Sequence, residues 1–283
     1  MGVPDDFRAQ SRANWGARAE GWEAHRDAWR TSTMPVSAWM IDALDPQPGQ
    51  TLLELAAGTG DTGFLAAELI APAGELISSD FSPEMLAAAR RRADELGLAN
   101  VRFKQIDADT SVDVPAGSID GVLCRWGYML LADPGNALRE TRRVLGPRGR
   151  VALAAWAGPE HNPFSVVPLE EAEGLGLAEP LAEGAPGQFA WDDPDRIVAE
   201  LEDAGFTEHH VEPLDFTIAF RDAEDWLQSQ GGMSGRLAAA LRAASAEQAE
   251  ALREGLAQRA ADYTADDGTL ALPSRALVAW AEP

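Results

Sequence analysis

The chain is poor in cysteine, lysine and histidine, and each shortage closes off some chemistry. Cys124 is the only cysteine, so neither an intrachain disulfide nor a multi-cysteine metal site can form. Lys104 is the only lysine, and the remaining basic residues are arginines. With 46 acidic residues against 23 basic ones, the formal net charge is -23. Such a surface repels phosphate backbones and anionic membranes, which disfavours nucleic-acid and membrane partners. Solubility is its plain reading. No uninterrupted apolar run approaches the ~20 residues of a membrane span. Residues 1–18 are charged and lack an apolar signal core, so a cytoplasmic protein is expected. At 283 residues, one catalytic domain with an added cap is the economical organisation.

What the chain does have is periodicity. Trp15, Trp22 and Trp29 stand seven apart in a helical pattern over residues 5–30, which puts three indoles near one face. Pro35 opens a further predicted helix that runs to Leu44. Strands are then predicted over 51–55, 75–79, 101–106, 119–124 and 151–156. Helices over 62–70, 83–96 and 134–145 fall between them, the second capped by Ser82. Strands alternating with helices imply an α/β fold, a mainly parallel sheet covered on both faces. After Trp156 the rhythm breaks. Residues 157–188 read as loop and short helix, and 195–204 as a helix stopped by a left-handed Gly205. A strand over 208–220, a helical stretch over 222–261 interrupted near Gly231 and Gly232, and a last strand over 270–280 complete the chain. Helices inserted there would form a lid over the carboxyl edge of the sheet.

The informative segment is Leu53-Glu54-Leu55-Ala56-Ala57-Gly58-Thr59-Gly60-Asp61-Thr62-Gly63, a strand running through glycines into a helix. Glycines there allow a tight turn and let a ligand approach the main chain. A sharp turn with no ligand could use the same residues. Asp80 closes the second strand, 20 positions beyond Gly60. A carboxylate so placed can accept hydrogen bonds from both hydroxyls of an adenosine ribose. Asp107-Ala108 follows the third strand and could read an adenine edge, and Gly117-Ser118-Ile119-Asp120 leads into the fourth. A nicotinamide-dependent oxidoreductase would also use a glycine turn followed by an acid.

Taken together these motifs resemble the class I S-adenosylmethionine (SAM)-dependent methyltransferases. The likeness is to the group of ubiquinone/menaquinone-biosynthesis C-methyltransferases and natural-product methyltransferases. Glu54-Leu55-Ala56-Ala57-Gly58-Thr59-Gly60 matches the glycine motif, and Asp80-Phe81-Ser82-Pro83-Glu84-Met85-Leu86 the acidic one. Arg125-Trp126-Gly127-Tyr128-Met129, Asp133-Pro134 and Arg143-Val144-Leu145 match the run through the fourth strand and next helix. Ala56 stands where the group usually has glycine, and Arg148 departs likewise in a remote turn.

The resemblance implies a Rossmann-like seven-stranded sheet, mostly parallel with an antiparallel last strand, helices on both faces and a helical lid. It implies N-terminal helices (1–45) over the site and a methyltransferase domain (46–283) with lid insertions around 157–190 and 221–265. Gly58, Gly60 and Ala56 would approach the methionine and ribose of SAM. Asp80 would hold the ribose, Phe81 and Met85 would pack on adenine, and Asp107 and Ala108 would read its edge. Glu54 would organise the loop, and Arg125 would supply main chain near the sulfonium. A small-molecule acceptor is implied, with S-adenosylhomocysteine as the other product, no metal, and a monomer or homodimer.

Methyl transfer is an in-line displacement that depends chiefly on orientation, worth ~7–11 kcal/mol. An oxygen acceptor also benefits from a base. Of the four histidines, His161 lies nearest the expected acceptor edge, ahead of His25 on the N-terminal helix, with His209 and His210 on a late strand. Tyr128 could orient an acceptor. Trp15, Trp22 and Trp126 could line its pocket, although core packing would also explain them.

Overall fold

A computed structural model of the chain describes residues 5–179 and 186–283. Part of the expected lid insertion, 180–185, and the first four residues of the N-terminal segment lie outside the described residues. Two helices come first, α1 (Asp5–Gly16) and α2 (Ala19–Leu44). The strand–helix rhythm then follows as β1 (Thr51–Glu54), α3 (Asp61–Ile70), β2 (Glu75–Asp80), α4 (Pro83–Leu96), β3 (Val101–Gln105) and β4 (Ile119–Arg125). Next come α5 (Pro134–Val144), β5 (Leu145–Trp156), α6 (Pro163–Gly174) and α7 (Pro194–Asp203). The chain closes with β6 (Glu208–Phe220), α8 (Ala223–Met233), α9 (Gly235–Ala243), α10 (Ala246–Ala260) and β7 (Leu270–Glu282).

All seven strands join one sheet in the order β3-β2-β1-β4-β5-β7-β6. The first five are parallel: Leu53 pairs with Ile77 on one side and Val122 on the other. The last strand, β7, inserts antiparallel between β5 and β6, with Leu153 opposite Ala279. Val122, Leu123 and Cys124 are buried in succession, as are all residues from Val151 to Trp156. Burial at every position rather than alternate ones means that both faces of the sheet are covered. The strand order reverses between β1 and β4, and in open α/β sheets a ligand crevice forms at the carboxyl ends of such strands.

Local chemistry explains most boundaries. Ser82 caps α4 by accepting from the Met85 N–H at 3.3 Å, and Pro83 fills the first helical position. Gly97 ends that helix in the left-handed region at φ 68°. Gly205 does the same after α7, at φ 91°.

Two expectations are corrected. The first helix breaks at Ala17–Arg18, and α2 then runs unbroken through Pro35 instead of restarting there. An internal proline costs a helix ~3 kcal/mol. Here Trp29, Val36, Met40 and Ile41 are buried along α2, and that packing outweighs the lost bond. The break expected at Gly231 and Gly232 falls instead at Ser234, whose hydroxyl caps α9. Gly232 serves a different need: a Cβ on Gly21 of α2 would meet its backbone carbon at 2.8 Å, so the two helices touch through bare main chain.

Candidate active site

A cleft open to solvent lies at the carboxyl ends of β1, β2 and β4, where ligand sites of open α/β sheets form. Its floor begins with Glu54, the last residue of β1. The carboxylate accepts from the Gly63 N–H at 2.8 Å and lies 3.4 Å from Ser78 Oγ. Gly63 is needed for this contact, because a Cβ there would collide with the carboxylate. Burial pushes the Glu54 carboxyl up to about 8, and the Gly63 N–H and the nearby Arg125 oppose that shift only in part.

The turn after β1 passes through Ala56 at φ 51°, Gly58 at φ 55° and Gly60 at φ 89°. A Cβ on Gly58 would have nothing within 4 Å and would project into ligand space. Gly60 does not line the cleft; a Cβ there would run into the Phe64 ring, so its requirement is internal packing. Ala56 does line the cleft, but with a left-handed backbone that a side chain resists by ~1–2 kcal/mol.

Asp80, the last residue of β2, ties the turn to α4. One carboxylate oxygen accepts from the Gly58 N–H and the other from the Ser82 N–H, each at 2.9 Å. Burial raises its carboxyl to about 6 against those bonds. Phe81 and Met85 complete that wall, with Asp107 and Ala108 opposite. Asp107 pairs with Arg12 of α1 at 3.3 Å, and the same guanidinium lies 6.0 Å from the Phe81 ring. The neighbouring Asp109 is half-buried. It accepts from the Ala132 and Asp133 N–H groups at 2.9 Å each, so it clamps the loop after β3 to the loop after β4.

Trp15, Trp22 and Trp126 also face the cleft. Trp15 and Trp22 lie 6.1 Å apart, and Trp22 and Trp29 5.7 Å apart. Trp126 stacks on Trp156 at 4.2 Å with 7° between planes, and Trp29 packs against both. Trp126 has φ 57°, an outlier for so bulky a residue. The bend breaks strand alternation, so that Arg125 and Trp126 both border the cleft.

The two residues expected to act on the acceptor are elsewhere. Tyr128 is 2% exposed; its hydroxyl is 2.6 Å from Thr141 Oγ1 and its ring stacks on Trp191. Burial drives the phenol well above its usual pKa of 10.0. Gly127, Leu130 and Leu131 around it line the cleft, but Tyr128 does not. His161 sits on another short turn (Pro159–His161), 3.4 Å from Glu160 and 3.3 Å from Arg275. It does not line the cleft. His25 contacts Ser229 Oγ at 3.2 Å beside a separate, smaller cavity, and His209 and His210 pair with Glu202 and Glu212. Asp61 is the lining acid that sequence reasoning missed. It opens α3 directly after Gly60, is 7% exposed, and stands 3.7 Å from Arg125. An acid in a helix's first turn beside a glycine loop was the available signal.

Comparison with known proteins agrees with this geometry. Residues 46–171 match a family described as a methyltransferase domain. A demethylmenaquinone methyltransferase from Thermus thermophilus is 40% identical over 125 residues, 44% of this chain and 55% of that protein. The chain therefore spans about half the length of that relative. A demethylmenaquinone methyltransferase from Deinococcus radiodurans is 33% identical over 187 residues, 63% of this chain and 76% of that protein. Nocamycin O-methyltransferase from Saccharothrix syringae is 29% identical, covering 70% of this chain and 74% of its own. Among solved structures, the YcgJ protein of Bacillus subtilis shares the fold with a TM-score of 0.57 at 21% identity, covering 87% of this chain and 97% of that one. The chain belongs to the class I SAM-dependent methyltransferases and, within them, is similar to the group that includes the demethylmenaquinone methyltransferases and nocamycin O-methyltransferase.

Proposed function

We propose that the chain transfers a methyl group from SAM to an oxygen or carbon of a small organic acceptor, as a cytoplasmic monomer or homodimer. The carrying observation is Asp80, a buried carboxylate in the cleft lining held by the Gly58 and Ser82 N–H groups, where it could also accept from a ribose. The residues present fit the cofactor. Gly58 leaves open the space a side chain would fill. Asp107 and Ala108 would read the adenine edge, and Phe81 and Met85 would pack on its faces. Glu54 organises the loop beneath the ligand through the Gly63 N–H and reaches an ammonium group through water. When bound, SAM supplies an electrophilic methyl on a sulfonium, and S-adenosylhomocysteine is left.

Neither histidine nor tyrosine lines the cleft among the described residues. The chain's contribution is then to orient the acceptor and exclude water, with no metal required. In this reading α1 and the start of α2 form the roof through Ser11, Trp15 and Trp22. The insertions around 157–190 and 221–265 act as a lid on the acceptor side. Relatives named as a ubiquinone/menaquinone biosynthesis C-methyltransferase and as nocamycin O-methyltransferase support both carbon and oxygen acceptors, on a quinone-like ring or a natural product.

Asp80→Ala tests the reading. SAM and S-adenosylhomocysteine affinity should fall about 10- to 100-fold by calorimetry, as expected for lost charge-assisted hydrogen bonds, with an unchanged circular dichroism spectrum. Wild-type binding of NAD but not of SAM would reverse the assignment in favour of an oxidoreductase.

A further inference from the structure

Arg125 brings more than main chain to the cleft. Its Nη1 donates to Thr33 Oγ1 at 2.9 Å and to Ser37 Oγ at 3.1 Å, both on α2. Ser37 Oγ is in turn 2.9 Å from Thr62 Oγ1 on α3. The guanidinium lies 4.8 Å from the Trp126 ring centroid. One end of the group is thus moored from two helices and steadied by an indole. The other end is not. Asp61 stands 3.7 Å from Nη2, beyond hydrogen-bond reach. Neither Nε nor Nη2 makes a hydrogen bond among the described residues. Nε and Nη2 together form the planar fork that matches the two oxygens of a carboxylate.

Charge in the cleft points the same way. Glu54, Asp61, Asp80, Asp107 and Asp109 all line it, and Arg125 is the one cationic side chain that does so among the described residues. Cationic parts of a ligand have several partners there, whereas a ligand carboxylate has one.

We propose that the free Nε–Nη2 edge of Arg125 is a carboxylate-binding subsite, serving either the amino-acid tail of the cofactor or an acidic acceptor. The proposal rests on the methyltransferase reading and extends it. Calorimetry with S-adenosylhomocysteine and its decarboxylated analogue, which keeps the ammonium, separates the two sources. Wild type should prefer the intact ligand by about 10- to 100-fold, the range for a charge-assisted bidentate contact. Arg125→Gln should erase that preference, the affinity for the intact ligand falling about 10- to 100-fold further than that for the decarboxylated analogue. If wild type shows no preference, protein saturated with S-adenosylhomocysteine should bind benzoate, and Arg125→Gln should not; the subsite then serves the acceptor.

Arg125→Lys, which keeps a charge but loses the fork, guards against a folding defect in the glutamine variant. It should lose several-fold of whichever discrimination wild type shows, and an unchanged value overturns the proposal. So does S-adenosylhomocysteine binding with neither a carboxylate preference nor benzoate binding. No binding of S-adenosylhomocysteine or its analogue to wild type defeats the methyltransferase reading itself.

Discussion

Glu54 shows how a single residue can serve a site at a cost to stability. Its carboxyl is raised from 4.5 to about 8 by burial, and that of Asp80 from 3.8 to about 6. The folded protein therefore keeps protons that the unfolded chain gives up. Stability from this source is complete below about pH 4 and is lost as pH rises through about 6 and then about 8. In Glu54→Gln the upper step is gone. The urea midpoint of the ligand-free variant should then fall less than that of wild type between about pH 6 and pH 9. Identical slopes would mean that Glu54 ionises in the fold as readily as in the open chain. The same residue explains Gly63, since the buried carboxylate occupies the place of its missing side chain.

At the scale of elements, the junction of α2 with α8 is the tightest test of packing. Gly21→Ala would drive a methyl group into the backbone of Gly232. It should cost about 1–3 kcal/mol in urea denaturation, the range for overpacking, and loosen α2 toward proteases. Unchanged stability would show that the helices can slide apart. The sheet itself was legible, because short apolar runs between glycine turns and helical stretches admit few other arrangements. So were the cap at Ser82 and the antiparallel last strand, the latter through resemblance. Pro35 misled because local propensity argues for a helix start, whereas tertiary burial of Trp29, Val36 and Met40 carries α2 through it. His161 and Tyr128 stand close along the chain to the ends of β5 and β4. That distance does not say which way a short turn points. Asp61 was overlooked because its role depends on Arg125, which lies 64 positions away and meets it only in the fold.

For the whole molecule, the net charge of -23 is spread over a chain of 283 residues. Ion pairs such as Arg91–Glu23 at 2.6 Å hold α2 to α4, but surface pairs of this kind are worth only ~0–1 kcal/mol. Self-repulsion should dominate. Raising salt from about 0.05 to about 0.5 M should increase the thermal midpoint as the screening length shrinks; a falling midpoint would mean that the ion pairs matter more. The cleft itself is lined only from residues 11–131 among those described, with Trp156 of the later half backing its Trp126 wall. The near-parallel pair of Trp126 and Trp156, one ring bordering the cleft and the other in the core, has an optical consequence. Indole transitions held that close couple as an exciton. Occupancy beside Trp126 should therefore register as a change in a circular dichroism couplet, and the protein would report on its own ligands without a dye.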